Sequence, residues 1–215
     1  WETFSYYGMR AMLIYYMTKT LLLDHETSST IYGFYTAFAY FTPIIGGTIA
    51  DRWLGKHRAV IIGASIMAIG HFMMAFESTF YVALATIALG NGLFLPTLPS
   101  QINDLYKADD PRRPWAYNVY YVGVNVGAFL APLICGFLGE TYGWHWGFGA
   151  AGVGMLAGLV IYLAGGKYLP KERQPVTSEP APGRTHRGRD TLLLLLRIGA
   201  ALTVFRGGYE QIRNT

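Results

Sequence analysis

Glu2 and Arg10 both stand in the first apolar stretch of the chain, Trp1-Glu2-Thr3-Phe4-Ser5-Tyr6-Tyr7-Gly8-Met9-Arg10. An ionisable side chain in such a stretch is costly unless it faces a partner or water, which makes both candidate site residues. On a helix Tyr6 and Arg10 lie one turn apart on one face with Tyr7 beside them, so a guanidinium and two phenols project to the same side. That set suits a ligand with a carboxylate and hydrogen-bonding groups. The bland alternative is an Arg10 that snorkels to an interface. A second charged constellation follows at Gly46-Gly47-Thr48-Ile49-Ala50-Asp51-Arg52-Trp53-Leu54-Gly55-Lys56-His57-Arg58. Its small residues let helices approach closely, and Asp51 can cap or accept charge-assisted bonds.

Other chemistry fails on spacing. Gly152-Val153-Gly154 follows no strand and lacks a third glycine at the dinucleotide-binding interval, and Gly154 with Gly158 reads as a helix-packing pair. The five histidines have no ligand spacing, and His71, on an apolar helix, reads as a satisfied packing residue. The single cysteine, Cys135, allows neither an internal disulfide nor a cysteine-based metal cluster. No nucleophile, base and orienting group occur together, so an enzyme is not expected.

The elements that position these residues are membrane helices. Of the 215 residues 52% are hydrophobic and 14% charged, against about 25% charged in soluble domains. A bilayer crossing takes about 20 apolar residues. Six such stretches fit, over 3–23, 30–50, 58–76, 79–101, 116–139 and 145–168, and a seventh starts near Leu192. The turns near 51–58 and 104–114 and the stretch 167–189 carry 12 of the 17 Lys and Arg, while the turns around 24–29, 77–79 and 140–145 carry none. The positive-inside rule then places the first three, and the N-terminus, on the cytoplasmic side. Trp144-His145-Trp146 suits the interfacial aromatic belt at the opposite face. Residues 171–190, rich in Pro, Ser, Gly and Arg, read as a cytoplasmic linker. The domain reading is a six-helix bundle over 1–170, that linker, and the start of helix seven over 191–215. Because the chain opens and stops inside hydrophobic segments, it reads as a fragment.

The helix-one run Phe4-Ser5-Tyr6-Tyr7-Gly8-Met9-Arg10 resembles the first signature of the proton-dependent oligopeptide transporter family of the major facilitator superfamily, Glu-x-x-Glu-Arg-Phe-x-Tyr-Tyr-Gly. Tyr120-Tyr121-Val122-Gly123-Val124-Asn125-Val126-Gly127 is similar to its second, with Val for Ile. Phe205-Arg206-Gly207-Gly208-Tyr209-Glu210-Gln211 is similar to its helix-seven Glu-Gln segment. The turn after helix two resembles the superfamily's helix 2–3 motif, carried here by Gly47, Asp51, Arg52 and Gly55, with one extra residue before the glycine. The resemblance implies an all-α membrane protein, the N-terminal six-helix bundle of a major facilitator fold plus the start of helix seven. It also implies a peptide site lined by Tyr6, Tyr7, Arg10, Tyr40 and Asn125 and faced by Glu210, with Glu2, Glu210 and Arg10 in proton coupling. The implied function is proton-coupled symport of di- and tripeptides in a bacterial inner membrane. The implied partners are a small peptide, the lipid bilayer and the C-terminal half of the same protein. No nucleic acid, metal or organic cofactor enters, the proton being the coupling ion.

Departures from the pattern matter as much as matches. Thr3 stands where the family has Arg, Leu95 where helix four has an intramembrane Lys, and Arg213 where a Gly follows the Glu-Gln segment. Glu2 therefore lacks its usual cations. Two other readings stay open: a divergent carrier of amino acids or another small carboxylate with altered or no proton coupling, and a truncated product that does not transport.

Overall fold

The computed structural model describes residues 1–107 and 109–169. The expected linker (171–190), the helix-seven start (191–215) and Glu210 lie outside the described residues. Eight α-helices follow in order: α1 Glu2–Lys19, α2 His25–Ile49, α3 Lys56–Met73, α4 Phe80–Phe94, α5 Thr97–Leu105, α6 Arg112–Ala131, α7 Phe137–Tyr142 and α8 Trp144–Gly165. They make six rods. α4 and α5 are two parts of one rod broken at Leu95-Pro96, where the proline supplies no N–H to the helical ladder. α6 and α7 are joined through a π turn, Pro132–Gly136.

The expected boundaries shift where local chemistry intervenes. α2 starts at His25, not near 30, because Asp24 caps it: the Asp24 carboxylate accepts from the Thr27 backbone N–H at 3.0 Å. α1 stops at Lys19, not near 23, and the chain turns through Leu22, whose φ is +53°. Gly55, with φ +79°, ends the π turn Ala50–Leu54 and admits α3, a backbone conformation that glycine takes without penalty.

Hydrogen bonds from Thr27, its side chain and then its backbone, hold the Asp24 carboxyl below the usual carboxylate range. A depressed folded-state value means that the cap's contribution is present above the unfolded value, about 3.9, and is lost as pH falls through the folded one. Asp24→Ala is expected to lower the thermal midpoint of the detergent-purified full-length protein at pH 7 and to match wild type once the pH falls below that range. Asp24→Asn, which caps without titrating, is expected to behave alike at both. Scanning fluorimetry at the two pH values checks this.

Three rods are long and apolar enough to cross a membrane: Glu77–Leu105, Arg112–Tyr142 and Trp144–Tyr168. The rods of α1, α2 and α3 do not reach that standard, and their residues say why. α1 carries Glu2, Arg10 and Lys19, α3 opens on Lys56-His57-Arg58, and α2 is diluted by Tyr, Thr and Gly. Two of these less apolar rods, α1 and α2, hold the candidate site. α6, by contrast, buries only Ala131 and leaves Val119, Tyr121, Val122, Val126 and Phe129 exposed. Apolar surface so continuous belongs in lipid or against a further helix.

α4 packs between α2 and α3, and α8 between α1 and α3. In lipid, apolar burial alone gives helices little reason to associate, so close approach and interhelical hydrogen bonds decide the packing. Where α2 crosses α4, Gly46 faces the Gly92 carbonyl so closely that a Cβ would overlap it. The crossing is tied by Thr42 Oγ1 donating to the Ala88 carbonyl at 2.8 Å and by Asn91 Nδ2 donating to the Ala39 carbonyl at 3.0 Å. Ser5 Oγ donates to the Ala151 carbonyl at 2.6 Å and ties α1 to α8. Met9, Leu13, Met17, Phe148 and Met155 belong to the core of the bundle.

Candidate functional site

The face of α1 that carries Tyr6 and Arg10 packs on α2, and two tyrosines of α2 complete it. Arg10 Nε donates to the Tyr32 hydroxyl, and its guanidinium carbon lies 5.2 Å from the centre of the Tyr32 ring. Tyr6 is buried, with its ring stacked on Tyr35 at 6.3 Å and edge-on to Tyr7 at 5.6 Å. Arg10 is thus oriented by a side chain and does not hang free. Tyr40 is exposed, with its hydroxyl in electrostatic range of Tyr6 and Arg10. Tyr7 is partly exposed beside them.

Tyr32 and Tyr35 are not among the residues that the sequence reading places at the site. Their spacing on α2, with Thr36 and Tyr40 one and two turns further on, is a helical stripe that the sequence does display. The two remaining candidates within the described residues lie elsewhere. Asn125 is exposed on α6, and its amide donates back to the Tyr121 carbonyl at 2.7 Å. Glu2 lies on the wall of a cavity of about 460 Å³ bounded by the start of α1, the junction of α4 and α5, and α6. The Thr3 hydroxyl donates to Glu2 Oε2 at 3.1 Å.

The expected gate motif forms the end of α2. Asp51 and Arg52 lie in the π turn and are exposed, and no ion pair joins either one among the described residues. Gly47 meets Pro96 at the break between α4 and α5. The ion pair at this end of the bundle is Lys56 with Asp104 of α5. Next to it the Tyr162 hydroxyl joins His57 Nδ1 at 3.0 Å and the Gln101 amide at 2.8 Å, which ties α3, α5 and α8 together. Local spacing carries no sign of that cluster, because Tyr162 meets residues 105 and 61 positions away on two other helices.

His71 departs from expectation. It is fully buried, as a packing residue should be, but neither ring nitrogen has a hydrogen-bond partner among the described residues. Its helix, α3, packs against α4 and α8, which belong to two of the most apolar rods and offer an imidazole little to bond. No group of His, Cys, Asp and Glu among the described residues is arranged to hold a metal ion.

Comparison with known proteins places this geometry. The model of the POT family matches residues 57–181. A peptide transporter of Yersinia enterocolitica, YePEPT, is 41% identical over 172 residues, covering 75% of this chain and 34% of the relative. A di-/tripeptide transporter of Lactococcus lactis is 35% identical over 209 residues, covering 92% of this chain and 41% of the relative. Among solved structures, a peptide transporter POT crystallised with sulfate superposes with TM-score 0.77 at 38% identity, covering 95% of this chain and 43% of that one. A POT family transporter crystallised with 5-aminolevulinic acid superposes with TM-score 0.77 at 29% identity, covering 98% and 45%. The chain therefore spans about a third to two fifths of the length of the curated relatives. These relatives are transporters and not enzymes. With the chain superposing on solved members and more than half of the sequence matched by the family model, the chain belongs to the POT family, as a multi-pass integral membrane protein of the major facilitator type.

Proposed function

We propose that the protein of family length is a secondary transporter of di- and tripeptides, driven by protons and working by alternating access. The observation that carries this reading is Arg10 held by Tyr32 on the face of α1 that also bears Tyr6. A fixed guanidinium among phenols recognises a carboxylate with directional hydrogen bonds, the group that every free peptide presents. Arg10 and Glu210 form the gate of this reading. A carboxylate that pairs with a guanidinium in one conformation and loses it in the other binds its proton differently in the two, which links protonation to opening. The remainder of a family-length protein supplies the opposing wall of the cavity, so the present chain by itself does not transport. The proton is the coupling ion and no organic cofactor takes part.

In this reading the N-terminus is cytoplasmic and the membrane is a bacterial inner membrane. The Lys56–Asp104 pair and the approach of Gly166 to the His57 ring bring the turns near 51–58 and 104–114 and the end of α8 to one end of the bundle, which supports a cytoplasmic face there under the positive-inside rule. Thr3 and Leu95 favour a second reading, in which the carrier moves amino acids or another small carboxylate with weak or no proton coupling. The relative crystallised with 5-aminolevulinic acid supports keeping it.

The test is uptake of labelled dialanine into proteoliposomes that hold the full-length protein, with and without an inward proton gradient. Gradient-driven accumulation in wild type and its loss in Glu210→Gln, with peptide exchange retained, is the expected result. Uptake indifferent to the gradient, or no uptake, overturns the symporter and favours the second reading.

A further inference from the structure

The basic end of the bundle carries two cations that no carboxylate answers. Arg58, on the first turn of α3, and Lys167, just beyond α8, are both exposed, and neither enters an ion pair among the described residues. Asp104 and Asp110, at the same end, are taken by Lys56 and Arg112. Arg58 and Lys167 flank one contact between their helices: Gly166 approaches the His57 ring, which stacks on Tyr162 of α8 at 5.2 Å.

Each cation heads an apolar stripe. On α3, Ile62, Ile69 and Phe72 share a face with Arg58 at 100° per residue, and all three are exposed. Ser65, the polar residue on that face, donates its hydroxyl to the Ile61 carbonyl at 2.8 Å. On α8, Leu163, Val160 and Val153 stand in the same relation to Lys167 and are likewise exposed. The two stripes run side by side, because α3 packs against α8. His57 meets Gly166 at the basic end, and the Phe72 ring lies against Gly152, next to Val153, at the other. From Arg58 to Ile69 is about 17 Å along the helix axis, close to the roughly 15 Å of hydrocarbon in one leaflet.

We infer that the α3–α8 seam binds an anionic phospholipid, with the phosphate between Arg58 and Lys167 and the acyl chains on the two stripes. Two cations above apolar surface one leaflet long complement a lipid of net negative charge, whereas a zwitterionic headgroup brings its own cation and gains less there. Tyr168, exposed and with its ring centre 4.9 Å from the Lys167 ammonium, lies at the headgroup level, where amphipathic rings settle. That the leaflet is the cytoplasmic one rests on the orientation proposed above; the preference for an anionic headgroup does not.

Lipid retention, not transport, decides this. The purified full-length protein in detergent is titrated with dioleoyl phosphatidylglycerol or dioleoyl phosphatidylcholine, and its lipid-bound states are counted by native mass spectrometry. Wild type is compared with Arg58→Gln, Lys167→Gln, the double variant and Arg113→Gln, each first shown to melt as wild type does without added lipid. A cation at a membrane surface is worth about fivefold in affinity for an anionic lipid. Wild type is therefore expected to prefer phosphatidylglycerol about thirtyfold, each single seam variant about fivefold, and the double variant not at all. Arg113→Gln removes a cation from the start of α6, off the seam, and is expected to keep the wild-type preference. A preference undiminished in the double variant, or absent from wild type, overturns the site. An equal loss in Arg113→Gln does so too, since it would assign the attraction to the positive field of the whole end. Wild type that retains no lipid and runs as a dimer would give the seam to a second copy of the chain.

Discussion

Arg10→Lys is expected to cut dialanine uptake by the full-length protein about tenfold to hundredfold, although it preserves the charge. The range follows from about 1.5–3 kcal/mol for a hydrogen bond made by a charged group, at 1.4 kcal/mol per tenfold. Arg10 reaches Tyr32 through Nε while its guanidinium lies over the ring of the same residue, and that orientation leaves its two terminal nitrogens for a ligand. A lysine ammonium is a single point donor on a flexible stem and cannot bond Tyr32 while presenting a planar fork. Tyr32→Phe, which removes the hydroxyl and keeps the ring, is expected to show a smaller loss. If Tyr32 acts by orienting Arg10, the double substitution will cost less than the sum of the two single ones, since neighbours that share one role are not additive. Uptake by Arg10→Lys within twofold of wild type would remove Arg10 from the binding site and return it to the role of an interfacial anchor.

What the sequence made legible divides along a physical line. Periodicity within one helix is contained in a single segment, so the Tyr6–Arg10 face of α1 and the apolar runs of α6 and α8 can be read from the order of residues alone. Pairings between helices cannot. Thr42 with Ala88, Asn91 with Ala39, and His57 with Tyr162 join positions 46, 52 and 105 residues apart, and no local pattern encodes such contacts. Tyr32 and Tyr35 lie between these cases: the stripe is local, but a tyrosine on a membrane helix serves equally as lipid-facing surface, core or ligand contact, and only packing against α1 chooses. The break at Leu95-Pro96 is written in the proline, whereas the π turns at 50–54 and 132–136 depend on tertiary packing. The short extent of α1 is set by the turn at Leu22, which no apolar count detects in a run of three leucines.

The second large effect concerns the frame that holds the site. Gly46→Ala is expected to destabilise the protein severely, with a thermal midpoint well below wild type and loss of monodisperse material in detergent. The added methyl would overlap the backbone carbonyl of Gly92 and lie 2.8 Å from the Leu93 nitrogen. Backbone cannot turn aside as a side chain can, so α2 and α4 must part. Overpacking alone costs about 1–3 kcal/mol. Parting the helices also breaks the Thr42–Ala88 and Asn91–Ala39 bonds in a buried place where neither donor finds water, at about 1–3 kcal/mol for each group left unpaired. Since α2 carries Tyr32 and Tyr35, a shift of that helix also withdraws the partners of Arg10 and Tyr6, and binding will fall in whatever fraction remains folded. Gly33→Ala is the control. It lies on the same helix with nothing within 4 Å of an added Cβ, and alanine is the better helix former by about 1 kcal/mol, so its midpoint is expected at or slightly above wild type. If Gly46→Ala melted with wild type, the α2–α4 crossing would not be held by close backbone approach, and the position of Tyr32 opposite Arg10 would need another cause.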